Sequence, residues 1–365
     1  MPIVKRAKNS YSVVIELGRD PVTGKRRQLW RSVRGSKKDA QALEAQLLHQ
    51  RDTGIDQPGK IAVGEFLERW LEDYAKPNTA PRTYERYRQL VRLHLIPALG
   101  ALPLGKLRPA HIQAAYARVL AARSPQTVLH CHRVLKEALG HAVKWQLLAR
   151  NPADAVDPPR PARYEIPAIG PDALRRLLAQ DSPYAALIHL AASTGLRQGE
   201  LLGLRWQDVD LERGVVHVRQ SLQRVNGSLT FRTPKTHHSR RAVALGPSVV
   251  ETLRRHRLQR LQEHLSLGHD LGLVFATPLG TPIDPSNFRR AWQRIVRSAN
   301  VGHVRFHDLR HAHASLLLAQ GVHPKIVSER LGHSSIGITL DTYSHVLPGL
   351  QAQVAAQFDA LLGAL

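Results

Sequence analysis

The stretch NPADAVDPPRPARYEIPAIGP, residues 151–171, constrains this chain more than any other part of it, because it holds six prolines. They are Pro152, Pro158, Pro159, Pro161, Pro167 and Pro171. Proline cannot donate a backbone hydrogen bond, and it pushes the residue before it towards extended conformations. No long helix or inner strand survives such a run, so 157–169 is predicted to be an extended linker. The chain must therefore build separate cores on either side. At 365 residues it is in any case too long for one ordinary core.

The charge balance says what those domains meet. Lys and Arg number 52 against 29 Asp and Glu, a net charge of +23. Such an excess repels itself unless a polyanion answers it, and nucleic acid is the commonest one. A membrane surface also attracts basic proteins. Here, however, the basic residues are spread along the chain, with no basic amphipathic helix and no apolar run near the ~20 residues of a membrane span. The start, MPIVKRAKNSYSVVIEL, lacks the apolar core of a signal peptide. A single cysteine, Cys131, rules out an internal disulfide and suits a reducing compartment. The expectation is a soluble, cytoplasmic, nucleoid-associated protein that binds DNA or RNA.

Periodicity then divides the chain further. Residues 1–56 read as a small unit: YSVVIELG and RRQLWRSV are strand candidates around the turn-like RDPVTGK, and a helix follows with Ser36 as its cap and Asp39 in its first turn. The Gly18…Gly24-Lys25 pattern is one residue too long for a phosphate-binding loop, and Arg26 stands where Ser or Thr would hold Mg²⁺. It is read as a hairpin turn. Residues 61–156 are predicted to be helical almost throughout. Phe66, Leu67, Trp70, Leu71 and Tyr74 form one apolar stripe, and further helices are predicted from about Pro81 to just before Gly100, at 109–122 and at 124–148. Arg123, His130, Arg133 and Lys136 give the last of these a basic face. From 170 to 348 the pattern is mixed: helices at 171–180, 183–193 and 198–206, strands at 214–220, 228–232 and 240–245, a helix over 247–266, a strand at LVFAT, and helices to 346. Residues 349–365 form an amphipathic helical tail that could dock in its own protomer or on a neighbour.

The chemistry is basic rather than acidic. Asp208 and Asp210 could open a two-metal site, but they fall in a turn with no acidic cluster downstream. His307, His311 and His313 in HDLRHAHAS lack the Glu of a zinc-binding H-E-x-x-H pattern. His313 falls on the core side and is read as structural. Arg197, in TGLRQGEL, opens a helix after Gly195, a place suited to a phosphate. His307 and Arg310 are three residues apart on one helical face, opposite Leu309, Ala312 and Leu316. His333 follows Gly332 in a turn, and Lys235 sits at the tip of a predicted hairpin, where it can reach outward.

Tyr343, flanked by Asp341, Thr342, Ser344 and His345, completes a set that suits one reaction. A tyrosine hydroxyl can attack a DNA phosphodiester and conserve its energy as a phosphotyrosine, so no nucleotide is needed. An unperturbed tyrosine is only about 1 in 1,000 ionised at neutral pH, so a base helps. Arginines stabilise the pentacoordinate phosphorane, each donor of this kind being worth about 2.7–4 kcal/mol. A lysine can protonate the departing 5′-oxygen. The polar flanks of Tyr343 imply a side chain that DNA can reach.

The ordered series TGLRQGEL, TPKT…SRR, HDLRH, LGHSS and DTYSHV resembles the tyrosine recombinase, or phage integrase, family over roughly 168–348. Each motif is weak alone, and the series is specific. The resemblance implies a multidomain, mainly α fold with small β-sheets: an arm-type DNA-binding domain at 1–56 built as a small sheet plus helix, a helical core-type DNA-binding domain at 61–156, and a mixed α+β catalytic domain at 170–348. It implies Tyr343 as nucleophile, Arg197 and Arg310 as phosphate activators, and Lys235 as general acid. His307 is then the proton acceptor or its partner, His333 a phosphate donor, and Glu200 a support paired with a basic neighbour. Double-stranded DNA attachment sites, a tetramer on DNA and an accessory DNA-bending or excision factor are the implied partners, with no cofactor and no metal. A non-catalytic DNA-binding regulator and a type IB-like topoisomerase are the alternatives.

Overall fold

In the computed structural model the chain forms two compact units, Met1–Arg163 and Tyr164–Leu365. The structure describes residues 3–19, 24, 26–52, 61–162, 169–233, 240–264, 272–343, 355–356, 358–360 and 362–363. Among them no helix is long and apolar enough to cross a membrane.

The first unit begins with an antiparallel sheet in the order β1 (Ile3–Ala7), β2 (Ser10–Arg19), β3 (Arg26–Arg34), with α1 (Lys37–Asp52) packed on it over Val13, Ile15, Ala40 and Leu47. Two strands were expected here and three are present. β1 reads IVKRA without alternation because it is an edge strand, held by backbone pairing to β2 rather than by a buried face. The helix start is a reciprocal cap: Ser36 Oγ accepts from the Asp39 amide at 3.3 Å, and the Asp39 carboxylate accepts from the Ser36 amide at 2.7 Å. The centre of the expected RDPVTGK turn lies outside the described residues.

The rest of this unit is helical: α2 (Val63–Trp70), α3 (Lys76–Asn78), α4 (Pro81–Leu90), α5 (Ile96–Leu99), α6 (Pro109–Ala122) and α7 (Pro125–Lys144). The segments 63–78 and 81–99 each contain a π turn that periodicity did not foresee, Leu71–Ala75 and Val91–Leu95. Both turns end just before a proline, Pro77 and Pro97. A proline inside an α-helix cannot bond to the carbonyl four residues back and crowds it. The π turn shifts the ladder so that Lys76 and Ile96 donate five residues back, to Leu71 and Val91, and the helix continues past the obstacle. Gly64 lets α2 meet the end of α5 backbone to backbone; a Cβ there would lie 3.2 Å from the Gly100 Cα. Phe66, Trp70, Leu95, Leu135 and Leu139 are fully enclosed in this core. α7 ends four residues earlier than 148, and Gln146 takes a left-handed φ of 60° just beyond it. Its basic face carries exposed Arg133 and Lys136 and half-buried His130, while exposed Arg123 stands just before it, at the end of α6.

The second unit runs α8 (Pro171–Leu178), α9 (Ala185–Thr194), α10 (Gln198–Leu202), β4 (Val209–Asp210), β5 (Val215–Val218), β6 (Ser221–Val225), β7 (Ser228–Arg232), β8 (Arg241–Ala244), α11 (Pro247–His264), α12 (Pro285–Ser298), α13 (Asp308–Ala319), α14 (Pro324–Leu331) and α15 (Ile336–Tyr343). One sheet has the order β4-β5-β8, and β6-β7 is a separate hairpin whose first strand was not anticipated. LVFAT is not a strand. Leu273 and Ala276 make only isolated bridges, to Arg205 and Pro282, while Leu273, Val274 and Phe275 are buried. An apolar run marks burial; it does not by itself supply a strand to pair with. The main core joins α9, α12 and α13 through Leu187, Leu190, Phe288, Trp292 and Leu309. A smaller one gathers Ala314, Leu318, Val327, Leu331 and Tyr343. Most of the linker's second half and most of the 349–365 tail lie outside the described residues.

Candidate active site

The site is assembled where four helix ends meet. α9 stops at Gly195, whose φ of 65° is left-handed and whose missing Cβ would clash with Leu331 Cδ2 at 2.6 Å. Two residues on, Arg197 occupies the N-cap of α10. Its amide and its Nη1 both donate to the Glu200 carboxylate at 2.9 Å, and its Nη2 donates to the Gly332 carbonyl at 3.2 Å. Glu200 is buried and also receives both terminal nitrogens of Arg241, at 2.9 and 3.2 Å. Burial alone would raise its pKa, but the Arg241 and Arg197 guanidiniums hold the carboxyl below the usual range. Arg241 Nε donates to the Arg330 carbonyl at 2.7 Å, tying the Glu200 bridge to the end of α14. There Gly332, at φ 67°, turns the chain; a Cβ would press on Arg241 Nη1 at 2.9 Å.

α13 supplies the other wall. Arg310 is 3% exposed and donates through Nη1 to the Gly195 carbonyl at 2.8 Å. Its Nη2 is buried with no hydrogen-bond partner. Burial, and next the repulsion of Arg197, lowers the Arg310 pKa to about 9, so it stays charged at neutral pH. A buried cation with an idle donor is costly unless an anion arrives. His307 lies at the N-cap of α13, open to the cleft, its ring 4.9 Å edge-on from that of His311. Desolvation and the neighbouring His311 and Arg310 push its pKa down to about 4. His333 shares a 2.8 Å hydrogen bond through Nδ1 with Thr339 Oγ1, and desolvation followed by Arg310 brings it to about 4 as well. Both imidazoles are therefore neutral at pH 7. Arg197, His307, Arg310, His311, His333 and Tyr343 line one cleft of about 420 Å³.

Tyr343 is more enclosed than its polar flanks suggest. It is 1% exposed, its ring packed with Ala314, Leu318, Val327 and Leu331, and only its hydroxyl end borders the cleft. The polar flanks misled because Thr339 and Tyr343, four residues apart, are the buried positions of α15. Ile336, Ile338 and Leu340 point outward. The ring's apolar partners come from α13 and α14, so they are invisible in the local sequence. Burial pushes the Tyr343 pKa up to about 12.

Lys235 lies outside the described residues, in the connection between β7 and β8. Sequence reasoning missed two participants. His311 Nδ1 and the Tyr343 hydroxyl share a 2.8 Å hydrogen bond, and Arg241 anchors Glu200. The sequence signal for His311 is its adjacency to Arg310, which the search for a zinc pattern does not use. His313 is held structurally, its Nδ1 on the Ala192 carbonyl at 3.0 Å and its Nε2 accepting from Arg330 at 3.0 Å. Asp208 is buried against Arg205 and Arg219, and Asp210 accepts from the amides of Glu212 and Arg213. Asp208 Oδ1 is buried without a hydrogen bond, 3.5 Å from Arg219 Nη1, and among the described residues no three His, Cys, Asp or Glu gather as ligands would.

A recess of this kind, cationic, walled by neutral imidazoles and bordered by a phenol, is built for phosphodiester chemistry. The phage integrase family profile matches residues 169–349, and the profile of the phage integrase N-terminal SAM-like domain matches 62–120. A tyrosine recombinase XerC-like protein of Caldanaerobacter subterraneus subsp. tengcongensis is 30% identical over 94% of each chain. The ICEBs1 integrase of Bacillus subtilis is 26% identical, over 99% of this chain and 100% of its own. Among solved structures, a Tn1549 transposon integrase in complex with a circular intermediate DNA superposes with a TM-score of 0.71 at 21% identity, covering 82% of this chain and 100% of that one. A lambda integrase dimer bound to a COC′ core site gives 0.60 at 18% identity, over 94% of each. The chain belongs to the phage integrase family, the tyrosine recombinases, and is an enzyme of the site-specific recombinase class.

Proposed function

We propose that this protein is an integrase that cleaves and rejoins double-stranded DNA at attachment sites of a phage or mobile element, through a 3′-phosphotyrosine formed by Tyr343. The observation that carries this reading is the idle, buried Nη2 of Arg310, beside Arg197 and across one cleft from the Tyr343 hydroxyl. A scissile phosphate seated there satisfies that nitrogen and relieves the repulsion between the two guanidiniums. Arg197, held by Glu200, is the second clamp on the non-bridging oxygens, and His333 donates a further hydrogen bond to them. His307 borders the same phosphate. Lys235 protonates the leaving 5′-oxygen. The phosphotyrosine keeps the energy of the broken ester, so rejoining requires neither nucleotide nor metal.

The remaining regions divide the DNA between them. Residues 61–156 hold the crossover site through the basic face of α7. Residues 1–56 hold a separate arm-type site through the sheet, where Arg6 stacks 5.5 Å above the exposed Trp30 ring. Four protomers act on two duplexes, with an accessory bending or excision factor setting direction. A structurally similar protein, lambda integrase, has been solved as a tetramer bound to a Holliday junction, which supports this arrangement.

The test is Tyr343→Phe on a nicked suicide substrate. The variant keeps the ring and its packing, so DNA binding stays within a few-fold of wild type, while the denaturant-resistant adduct disappears. An adduct formed by the variant would move the nucleophile to another tyrosine.

A further inference from the structure

The family resemblance points to His307 as the proton acceptor or its partner, and among the described residues the Tyr343 hydroxyl has one hydrogen-bond partner, His311. The contact is 2.8 Å, between the hydroxyl and Nδ1. The two rings lie 5.7 Å apart, centroid to centroid, at 56°. His311 is half-buried, one residue after Arg310, and lines the cleft beside it. His307 meets the edge of the His311 ring and makes no hydrogen bond to Tyr343. The polar order across the cleft is thus His307, His311, Tyr343, with the tyrosine oxygen at the end next to His311.

We propose that His311 is the catalytic base of this site: its Nδ1 takes the proton from the Tyr343 hydroxyl as that oxygen attacks the phosphorus. The inference rests on Tyr343 being the nucleophile. In the forward step the tyrosine O–H bond breaks and an N–H bond forms on His311. The tyrosine oxygen bonds to phosphorus, and the bond from phosphorus to the 5′-oxygen breaks, that oxygen taking its proton from Lys235. In the rejoining step the 5′-hydroxyl attacks phosphorus and gives its proton back to Lys235, the bond from phosphorus to the tyrosine oxygen breaks, and the His311 imidazolium returns its proton to that oxygen.

The surroundings suit a base rather than a bystander. Desolvation first lowers the His311 pKa; Arg305 and Arg310 push the same way, and Asp308 opposes them. Tyr343 and His333 face it from the α14–α15 segment, and His307 from its own helix. The ring is therefore neutral at pH 7, and its Nε2–H tautomer leaves Nδ1 free to accept. Among the described residues the buried phenol has no other acceptor, and a positioned base of this sort contributes about 10²–10⁴-fold to a rate.

The experiment compares full-length wild type with His311→Asn, whose amide can hydrogen-bond near the Nδ1 position but cannot take a proton. Covalent complex formation on the suicide substrate should fall about 10²–10³-fold. Its rate should also rise about tenfold per pH unit from 7 to 9, as hydroxide replaces the base, while the wild type stays level. On a substrate with a 5′-bridging sulfur, which leaves without a proton, the defect should persist. Cleavage within about threefold of wild type, a defect equal at every pH, or rescue by the sulfur substrate each overturns the proposal. Binding by mobility shift accompanies every measurement; should H311N fail to bind, His311→Gln carries the same comparison. An adduct formed by Y343F sinks the nucleophile reading itself, whereas wild-type cleavage by H311N beside an inert Y343F sinks only the role of His311.

Discussion

Among the described residues two tyrosine–histidine hydrogen bonds share nearly the same geometry in different surroundings. In the helical region the Tyr116 hydroxyl and His132 Nδ1 are 3.1 Å apart, with ring centroids at 5.8 Å. In the second unit Tyr343 and His311 stand at 2.8 and 5.7 Å. Burial raises both tyrosines' pKa and lowers both histidines'. The difference is the third neighbour. Tyr116 belongs to a closed apolar core with Ile112, Cys131 and Leu135. Tyr343 borders a cleft that also holds Arg197 and Arg310. A tyrosine–histidine bond is thus only a satisfied polar pair until cations and an opening are added to it.

The comparison breaks hardest at Arg310, which has no counterpart beside Tyr116. Arg310→Met keeps the side chain's bulk and removes its charge. Strand cleavage should fall by about 10²–10³-fold, the cost of one preorganised donor. Thermal stability should hold or rise, because replacing a poorly compensated buried charge by an apolar group is often neutral or favourable. Suicide-substrate cleavage and calorimetry on one preparation decide the matter. A variant that cleaves normally, or that loses activity only because it unfolds, would return the cleft to the same class as the Tyr116 pair.

That contrast also marks what was legible in the sequence. Arg197, His307, Arg310, His333 and Tyr343 were picked out from order and spacing, and the structure brings them to one cleft because helix ends and glycine turns are local features. Gly195 and Gly332 announce where α9 and α14 stop, so Arg197 and His333 could be placed at turns before any fold was known. Long-range facts were not legible. The burial of Tyr343 depends on α13 and α14, the Arg241 bridge spans 41 residues to Glu200, and the bond from His311 to Tyr343 spans 32. The edge strand β1 carries no alternation to read, and the π turns depend on where Pro77 and Pro97 fall in the helical ladder.

A pH titration sharpens the comparison at the level of the whole domain. His307, His313 and His333 are each lowered from 6.5 to about 4. Between those values the unfolded chain binds protons that the folded domain refuses. Their contribution is therefore complete above pH 6.5 and is lost as pH falls towards 4. His313, 8% exposed, accounts for the largest share, on the order of 2–3 kcal/mol. Denaturant melts at pH 7 and pH 5 should show the second unit losing stability over this window. His313→Gln should remove part of the slope; an unchanged slope would mean that the imidazoles are charged in the folded protein.

The smallest effect is expected at the pair that looks most like the active one. Tyr116→Phe removes a hydroxyl from a closed core and leaves His132 Nδ1 without its partner. Losing one buried hydrogen bond costs about 1 kcal/mol, and somewhat more where the abandoned nitrogen cannot reach water. The helical region should therefore melt a few degrees lower, the usual yield of such a change in a domain of this size. Cleavage by the folded enzyme should stay within about twofold of wild type, since the cleft and its arginines belong to the other unit. His132→Asn should behave in the same way, with a level pH–rate profile and none of the rise expected of His311→Asn. Should Y116F instead abolish the covalent adduct while binding DNA normally, the two pairs would be functionally alike, and the arginine cleft would no longer be what separates them.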